Sequence, residues 1–284
     1  MNFGKHAEHV INKINKIHQK LSFLGNRTWG LNYRQRIILY KGVARAVLGY
    51  CASVYFPRLR KVYKLKLRSL NRKWLLRTIQ GYGTISFEAV DIIARVLPLD
   101  WFFFKRILLT KYRQYLHSQS QVTDTQFGLR FENSKAYDIE DNLEVNFKNI
   151  TQKIHKHIYN KWQEQWDSSH KGRTTHKFFP SVENRMLKKN VKINFYLTQV
   201  FSGHGNFSAY LHRFTVKDNP TCTNCQKCET ENVEHMLFNC PAWTELKQKY
   251  KIEHALSAQT LEKISGKDNF SAFAQHVMKI KNKS

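Results

Sequence analysis

The sequence predicts a mainly α-helical protein: a strongly basic helical bundle, a helical connector and a small zinc knuckle. Three observations lead there. Only 12 Gly and 5 Pro occur among 284 residues, too few for a loop-rich all-β chain. Apolar residues recur at spacings of three and four over long stretches. Four of the five cysteines crowd between positions 222 and 240, with a histidine among them. At 42% apolar and 13% aromatic, the chain has the means to bury a core and is no disordered polycation.

The elements follow in order. Val10, Ile14, Ile17, Leu21 and Leu24 form one stripe of a first helix, which Gly25 stops. Asn32 is placed to cap a second helix with the stripe Ile37, Tyr40, Ala44, Val47, Cys51 and Val54, ended by Pro57. Leu59, Tyr63, Leu67, Leu70 and Trp74 line a third. Nine of the 20 residues from 58 to 77 are basic. Three such helices with short connections read as a bundle with one basic face. Gly81 and Gly83 interrupt the pattern, Ser86 caps a short helix through Val96, and Asp100 caps a longer one from Trp101 to about His117. From 119 to 145 the periodicity fades and acids gather, which reads as a linker. Helical spacing resumes with Phe147, Ile150, Ile154, Ile158, Trp162 and Trp166, the tryptophans being read as core. The expected organisation is therefore 1–118 bundle and following helices, 119–145 linker, 146–216 connector, 217–250 knuckle and 251–284 helical or disordered tail.

Charge points to a partner. Lys and Arg number 47 against 21 acids, a formal +26. Residues 1–118 hold 23 of the bases and 4 of the acids, and no acid lies between Glu8 and Glu88. A helix that merely needed solvation would mix signs to gain i,i+4 pairs. A face of one sign implies a polyanion, and phosphate backbone is the expected one. Arg58, Arg60, Lys61, Lys64, Arg68, Arg72, Lys73 and Arg77 are the candidate phosphate contacts. The best apolar run, Val43 to Phe56, is too short for a membrane span and carries Arg45, so no membrane partner is expected.

Cys222-Thr-Asn-Cys225 is a two-residue knuckle, followed by His235 and Cys240. This pattern can supply three thiolates and one imidazole, the donor set of a structural tetrahedral Zn²⁺ with no place left for a catalytic water. Cys228 leaves an alternative open, because Cys225 and Cys228 also form a CxxC pair. The cysteine usage suits a reducing, intracellular setting; the expected location is the nucleus, with a cytoplasmic ribonucleoprotein as the alternative. Upstream, Gly203 and Gly205 flank His204 at a tight turn. With no partnered carboxylate nearby in sequence, this reads as a turn rather than a catalytic base.

Together these stretches resemble the carboxy-terminal part of the polyprotein of non-LTR (LINE-like) retrotransposons, closest to the jockey and I groups and the type-1 ribosomal-insertion elements. The residues that carry the resemblance are Arg77-Thr-Ile-Gln-Gly-Tyr-Gly-Thr-Ile-Ser-Phe-Glu-Ala, Leu97-Pro-Leu-Asp100, Trp162 with Trp166, and Phe179-Pro180. They continue with Ser202-Gly-His-Gly-Asn-Phe, Tyr210-Leu-His-Arg-Phe214, and Cys222-Thr-Asn-Cys225 through His235-Met-Leu-Phe-Asn-Cys240-Pro241. The resemblance implies that residues 1–80 look like a reverse transcriptase thumb, that the knuckle looks like a nucleic-acid-binding module, and that the polymerase domains would lie upstream. The family's paired aspartates, which hold the metals of nucleotidyl transfer, are missing, since no Asp-Asp pair occurs. The chain alone is therefore expected to bind element RNA or target DNA without catalysing. Two other readings stand beside it: a stand-alone RNA- or DNA-binding adaptor derived from such an element, and a divergent nuclease using His204.

Overall fold

Helix formation follows the apolar spacing closely at the amino terminus. In the computed structural model, which describes residues 3–118, 123–124, 129–130, 143–188, 190–225, 229–252 and 264–283, helix α1 spans Gly4–Lys20. It continues as a 3₁₀ turn, Leu21–Leu24, up to Gly25. Ala7, Val10 and Ile14 are buried on one face, which packs against α5.

Asn32 caps the next helix through a full capping box: its side chain accepts from Gln35 N, and the Gln35 side chain accepts from Asn32 N. The single helix expected from there to Val54 is instead broken. Helix α2 (Tyr33–Leu39) runs into a π turn, Tyr40–Ala44, then α3 (Arg45–Gly49). Cys51 is left-handed with φ of 50°, and only then does α4 (Ala52–Tyr55) follow. Pro57 lies within a 3₁₀ turn, Phe56–Arg58. The extra residue of the π turn and the left-handed Cys51 each rotate the stripe. Cys51 and Val54, expected to face the core, are therefore exposed, while Leu48 and Tyr55 are buried. Tyr55 OH donates to Leu48 O at 2.6 Å, bridging the break.

Helix α5 (Lys61–Thr78) is the axis of this half, and Leu67, Leu70, Trp74 and Leu75 face inward. Tyr40 OH donates to Asn71 Oδ1 within the core, fastening the π turn to α5. Ser86 caps α6 (Phe87–Ile93), which ends three residues before the expected Val96. Helix α7 (Leu99–Ser118) already includes Asp100, so Asp100 does not cap it; its carboxylate pairs with Arg68 Nε at 3.2 Å.

The expected linker falls largely outside the described residues. Within it, Thr123–Asp124 pairs antiparallel with Leu129–Arg130. Helix α8 (Leu143–Ser168) packs on α7 and buries Ile154, Ile158, Trp162 and Trp166. Short helices follow: α9 (Arg173–Phe178), α10 (Val182–Leu187), α11 (Phe195–Ser202) and α12 (Ser208–Arg213). After the cysteine region come α13 (Thr244–Lys249) and α14 (Asp268–Lys281), the latter packed on α11. One continuous cluster of buried side chains runs from Ala7 on α1 through Leu67, Trp166 and Phe201 to Cys222, Cys240 and Met278. Among the described residues, no single helix is long and apolar enough to cross a membrane.

Candidate functional site

The cysteine region is built by three short pieces. Thr221 and Thr230 form an isolated bridge that brings the two sides of the Cys222–Glu229 loop together. Asn224 N donates toward Cys222 Sγ at 3.4 Å, the usual way a knuckle turns its backbone amides onto its sulfur. A π turn, His235–Asn239, then places His235 and Cys240 at the loop's base, with His235 N held by the Asn232 side chain at 2.8 Å.

The result gathers Cys222, Cys225, His235 and Cys240, whose ligating atoms all lie within 4.8 Å of one another. Cys222 Sγ and Cys240 Sγ are 3.9 Å apart, and Cys225 Sγ is 3.5 Å from His235 Nε2. A tetrahedral centre with metal–sulfur bonds of about 2.3 Å and a metal–nitrogen bond of about 2.0 Å has edges of about 3.8 Å between sulfurs and about 3.5 Å from sulfur to nitrogen. The four donors thus have the spacing needed to hold a metal ion. Burial pushes the Cys222 thiol up to about 12 and raises that of Cys240 as well. A nearby cation is what would favour their thiolates. Cys228 lies outside the described residues.

One participant escaped the sequence reading. Glu229 Oε2 is 2.6 Å from His235 Nδ1, on the opposite side of the ring from the sulfurs. A carboxylate there fixes the tautomer that leaves Nε2 free to ligate. An acid six residues before the histidine gives no helical or strand register to flag it. A second acid, Glu231, is fully buried. It accepts from Ser208 N at 3.0 Å and from Asn224 Nδ2 at 3.3 Å, and pairs with Lys281 Nζ at 2.9 Å. The ligand loop is thereby tied to α12 and α14. Phe238 stacks on Phe270 of α14 with rings 6.1 Å apart and nearly parallel.

These features meet known relatives across most of the chain. Identity is 30% over 252 residues with the "Retrovirus-related Pol polyprotein from type-1 retrotransposable element R1" of Bradysia coprophila, covering 87% of this chain and 23% of that protein. It is 26% over 241 residues with the corresponding R1 2 polyprotein of Nasonia vitripennis, 84% of this chain and 55% of the relative. Its homologues are R1 retrotransposon Pol polyproteins. A "Putative 115 kDa protein in type-1 retrotransposable element R1DM" of Drosophila melanogaster aligns at 24% over 249 residues. The R1-related chain spans roughly a quarter of the Bradysia protein and about half of the Nasonia one. No family model matches it, and no solved structure does.

The basic residues of this R1-related chain divide into two groups. Arg58, Arg60, Lys61 and Lys73 are exposed along α5 and the turn before it, and Lys64 is half-buried with its ammonium 4.9 Å from the Phe56 ring centre. The other three are turned to internal use. Arg68 pairs with Asp100, Arg72 donates to Ile85 O and Gly83 O, and Arg77 donates to Leu21 O and Gly25 O at 3.0 and 2.9 Å. Arg36 reaches the carbonyls of Asn26, Trp29, Leu31 and Arg77, and Arg185 those of Ile92 and Ile93. Backbone carbonyls, in loops (Asn26, Trp29, Leu31, Gly83, Ile85) and at helix ends (Leu21, Gly25, Arg77, Ile92, Ile93), take the part of the counter-charge for these arginines.

The Gly-His-Gly turn forms as expected. Gly203 ends α11 at φ 72°, and a Cβ there would meet Thr174 at 2.9 Å. Gly205 lies against Gln199, whose Oε1 accepts from Asn206 N; a Cβ would come within 2.1 Å of that oxygen. His204 Nδ1 is 2.9 Å from Thr84 Oγ1, a hydroxyl rather than a carboxylate. Burial, then Arg213 and Arg72, hold its imidazole down at about 4.

Proposed function

We propose that this chain is a nucleic-acid-binding segment from the carboxy-terminal part of a retrotransposon RNA-directed DNA polymerase, not itself catalytic. In this reading a structural Zn²⁺ on Cys222, Cys225, His235 and Cys240 closes the carboxy-terminal half, and the basic surface of α5 lies along phosphate backbone. The paired aspartates of nucleotidyl transfer would come from polymerase domains elsewhere in the polyprotein, and the chain would work in the nucleus beside target DNA. The observation that carries the reading is that Arg58, Arg60, Lys61 and Lys73 are all exposed in a stretch with no acid between Glu8 and Glu88. Those cations are free to neutralise a polyanion, unlike Arg68, Arg72 and Arg77, which already have partners in the fold.

Salt dependence tests it. Each phosphate neutralised adds about 0.9 to the log–log slope on B-DNA and about 0.7 on single strands. Replacing Arg58, Arg60, Lys61 and Lys73 together with Gln should flatten the slope by about three units and weaken all sequences alike. An affinity that barely responds to salt, or a quadruple variant that loses only one preferred sequence, would overturn the reading.

A further inference from the structure

The Gly-His-Gly turn has no part in that reading, yet it closes a band of rings and guanidiniums assembled from three distant segments. The Arg27 guanidinium stands 4.7 Å from the Tyr82 ring centre. Tyr82 is 6.4 Å from Tyr210, and Tyr210 is 5.0 Å from Phe214 and 4.9 Å from His204. The Arg213 guanidinium lies 5.0 Å from the Phe214 ring. The row is fixed in place: Thr84 Oγ1 ties Tyr210 OH at 2.7 Å to His204 Nδ1, and Gln80 Nε2 holds Arg27 O at 2.6 Å.

The band faces outward. Phe214 is 42% exposed, Arg27 and Arg213 are exposed, and Tyr82, His204 and Tyr210 are half-buried. Rings in mutual contact and partly exposed form a contiguous apolar patch, the kind of surface that marks an interaction site. Burial first, then the Arg213 and Arg72 charges, disfavour the protonated form of His204, which sits as one more ring beside a cationic rim. Neutral rings with cations at both ends are the chemistry of a single-stranded nucleic acid site, where bases stack and phosphates pair. A duplex keeps its base faces inside and has nothing to offer such rings.

We propose that this band binds a single strand of nucleic acid, stacking unpaired bases on Tyr82, Tyr210 and Phe214 while Arg27 and Arg213 hold its phosphates. The proposal rests on the nucleic-acid reading above and adds a second surface, selective for single strands, to the sequence-blind one on α5.

The test uses the full zinc-loaded chain and fluorescein-labelled 12-residue probes: oligo(U), oligo(dT) and a duplex of the same length. Stacking contributes about 1–3 kcal/mol per base, so Phe214→Ala should weaken single-strand binding about five- to 150-fold. Its duplex affinity should stay within about twofold and its salt slope unchanged, because stacking releases no counterions. Phe214→Trp should restore binding. Arg27→Ala with Arg213→Ala should lower the single-strand slope by about 1.4. Comparing oligo(U) with oligo(dT) tells whether RNA or DNA is the natural strand. Equal losses on duplex and single strand, or full single-strand affinity in both Phe214→Ala and Tyr82→Ala, would overturn the proposal and leave a protein contact as the use of the band. If the unmodified chain binds none of the probes, the nucleic-acid reading itself fails.

Discussion

His235 is held from both sides: its Nδ1 is 2.6 Å from Glu229 Oε2, while its Nε2 is 3.5 Å from Cys225 Sγ. The carboxylate sets the ring's tautomer and orientation, leaving the other nitrogen toward the sulfurs. Outer partners of this kind change metal affinity about 10- to 100-fold when removed. On the proposed Zn²⁺ reading, Glu229→Gln should weaken Zn²⁺ binding by that factor without changing the number of ions bound, as read by competition with a chromogenic chelator. An unchanged affinity would mean that the Glu229 contact plays no part in holding the ion.

Chelation should reach well beyond the cysteine loop. Cys222 and Cys240 are buried in the same cluster as Phe201, Phe270 and Met278, and Glu231 links the loop to Lys281 of α14. Structural zinc supplies folding free energy on the order of 10 kcal/mol in isolated peptides. EDTA should accordingly lower the melting temperature of the whole helical signal, in one transition. Cys240→Ser should do the same, and Cys228→Ser should leave metal stoichiometry unchanged. A chelated protein whose helices melt as before would show the loop to be an independent appendage.

Arginine deserves different treatment at different positions. Arg36 is buried and serves four carbonyls, so Arg36→Ala removes four charge-assisted hydrogen bonds at once. Hydrogen bonds to charged groups contribute about 1.5–3 kcal/mol, and a loss of about 2–4 kcal/mol is expected in urea unfolding. Lys73→Ala, on the exposed side of α5, should change stability by less than about 0.5 kcal/mol. Equal effects from the two would remove the distinction between internal and surface-facing bases.

Asp91 gives a pH signature. Burial pushes its carboxyl up to about 8, against the opposing pull of Arg45 and Arg68. The unfolded chain releases this proton near pH 3.8, so the group's contribution to stability is present below that value and is lost as pH rises toward 8. Asp91→Asn removes the dependence. The melting temperature of the variant relative to the unmodified chain should rise from pH 6 and level off above about pH 8. A difference that stays flat, or falls, would mean that the carboxylate is ionised in the fold.

Local signals in the sequence determined a good deal. Apolar spacing set α1, α5 and the Trp162–Trp166 stretch of α8, because a helix that must bury one face records that face every three or four residues. Asn32 and Ser86 announced helix starts, because a cap acts within three residues of itself. A metal-ligand cluster was legible from residue type and spacing, since thiols and imidazole gathered over 19 positions have few other uses. Spacing leaves Cys228 open as an alternative to Cys222, and it is the fold that gathers Cys222, Cys225, His235 and Cys240. Tertiary structure decided the rest. The π turn at Tyr40–Ala44 shifts register through its fit against Asn71 on α5, a residue 31 positions away. Whether a base faces solvent or a carbonyl depends on which helix end lies opposite: Arg77 meets Leu21 and Gly25, and Arg185 meets Ile92 and Ile93. Spacing along the chain measures the face of one helix. The partner on that face is chosen by packing, and packing brings Arg27, Tyr82 and Phe214 into one row that no window of the sequence contains.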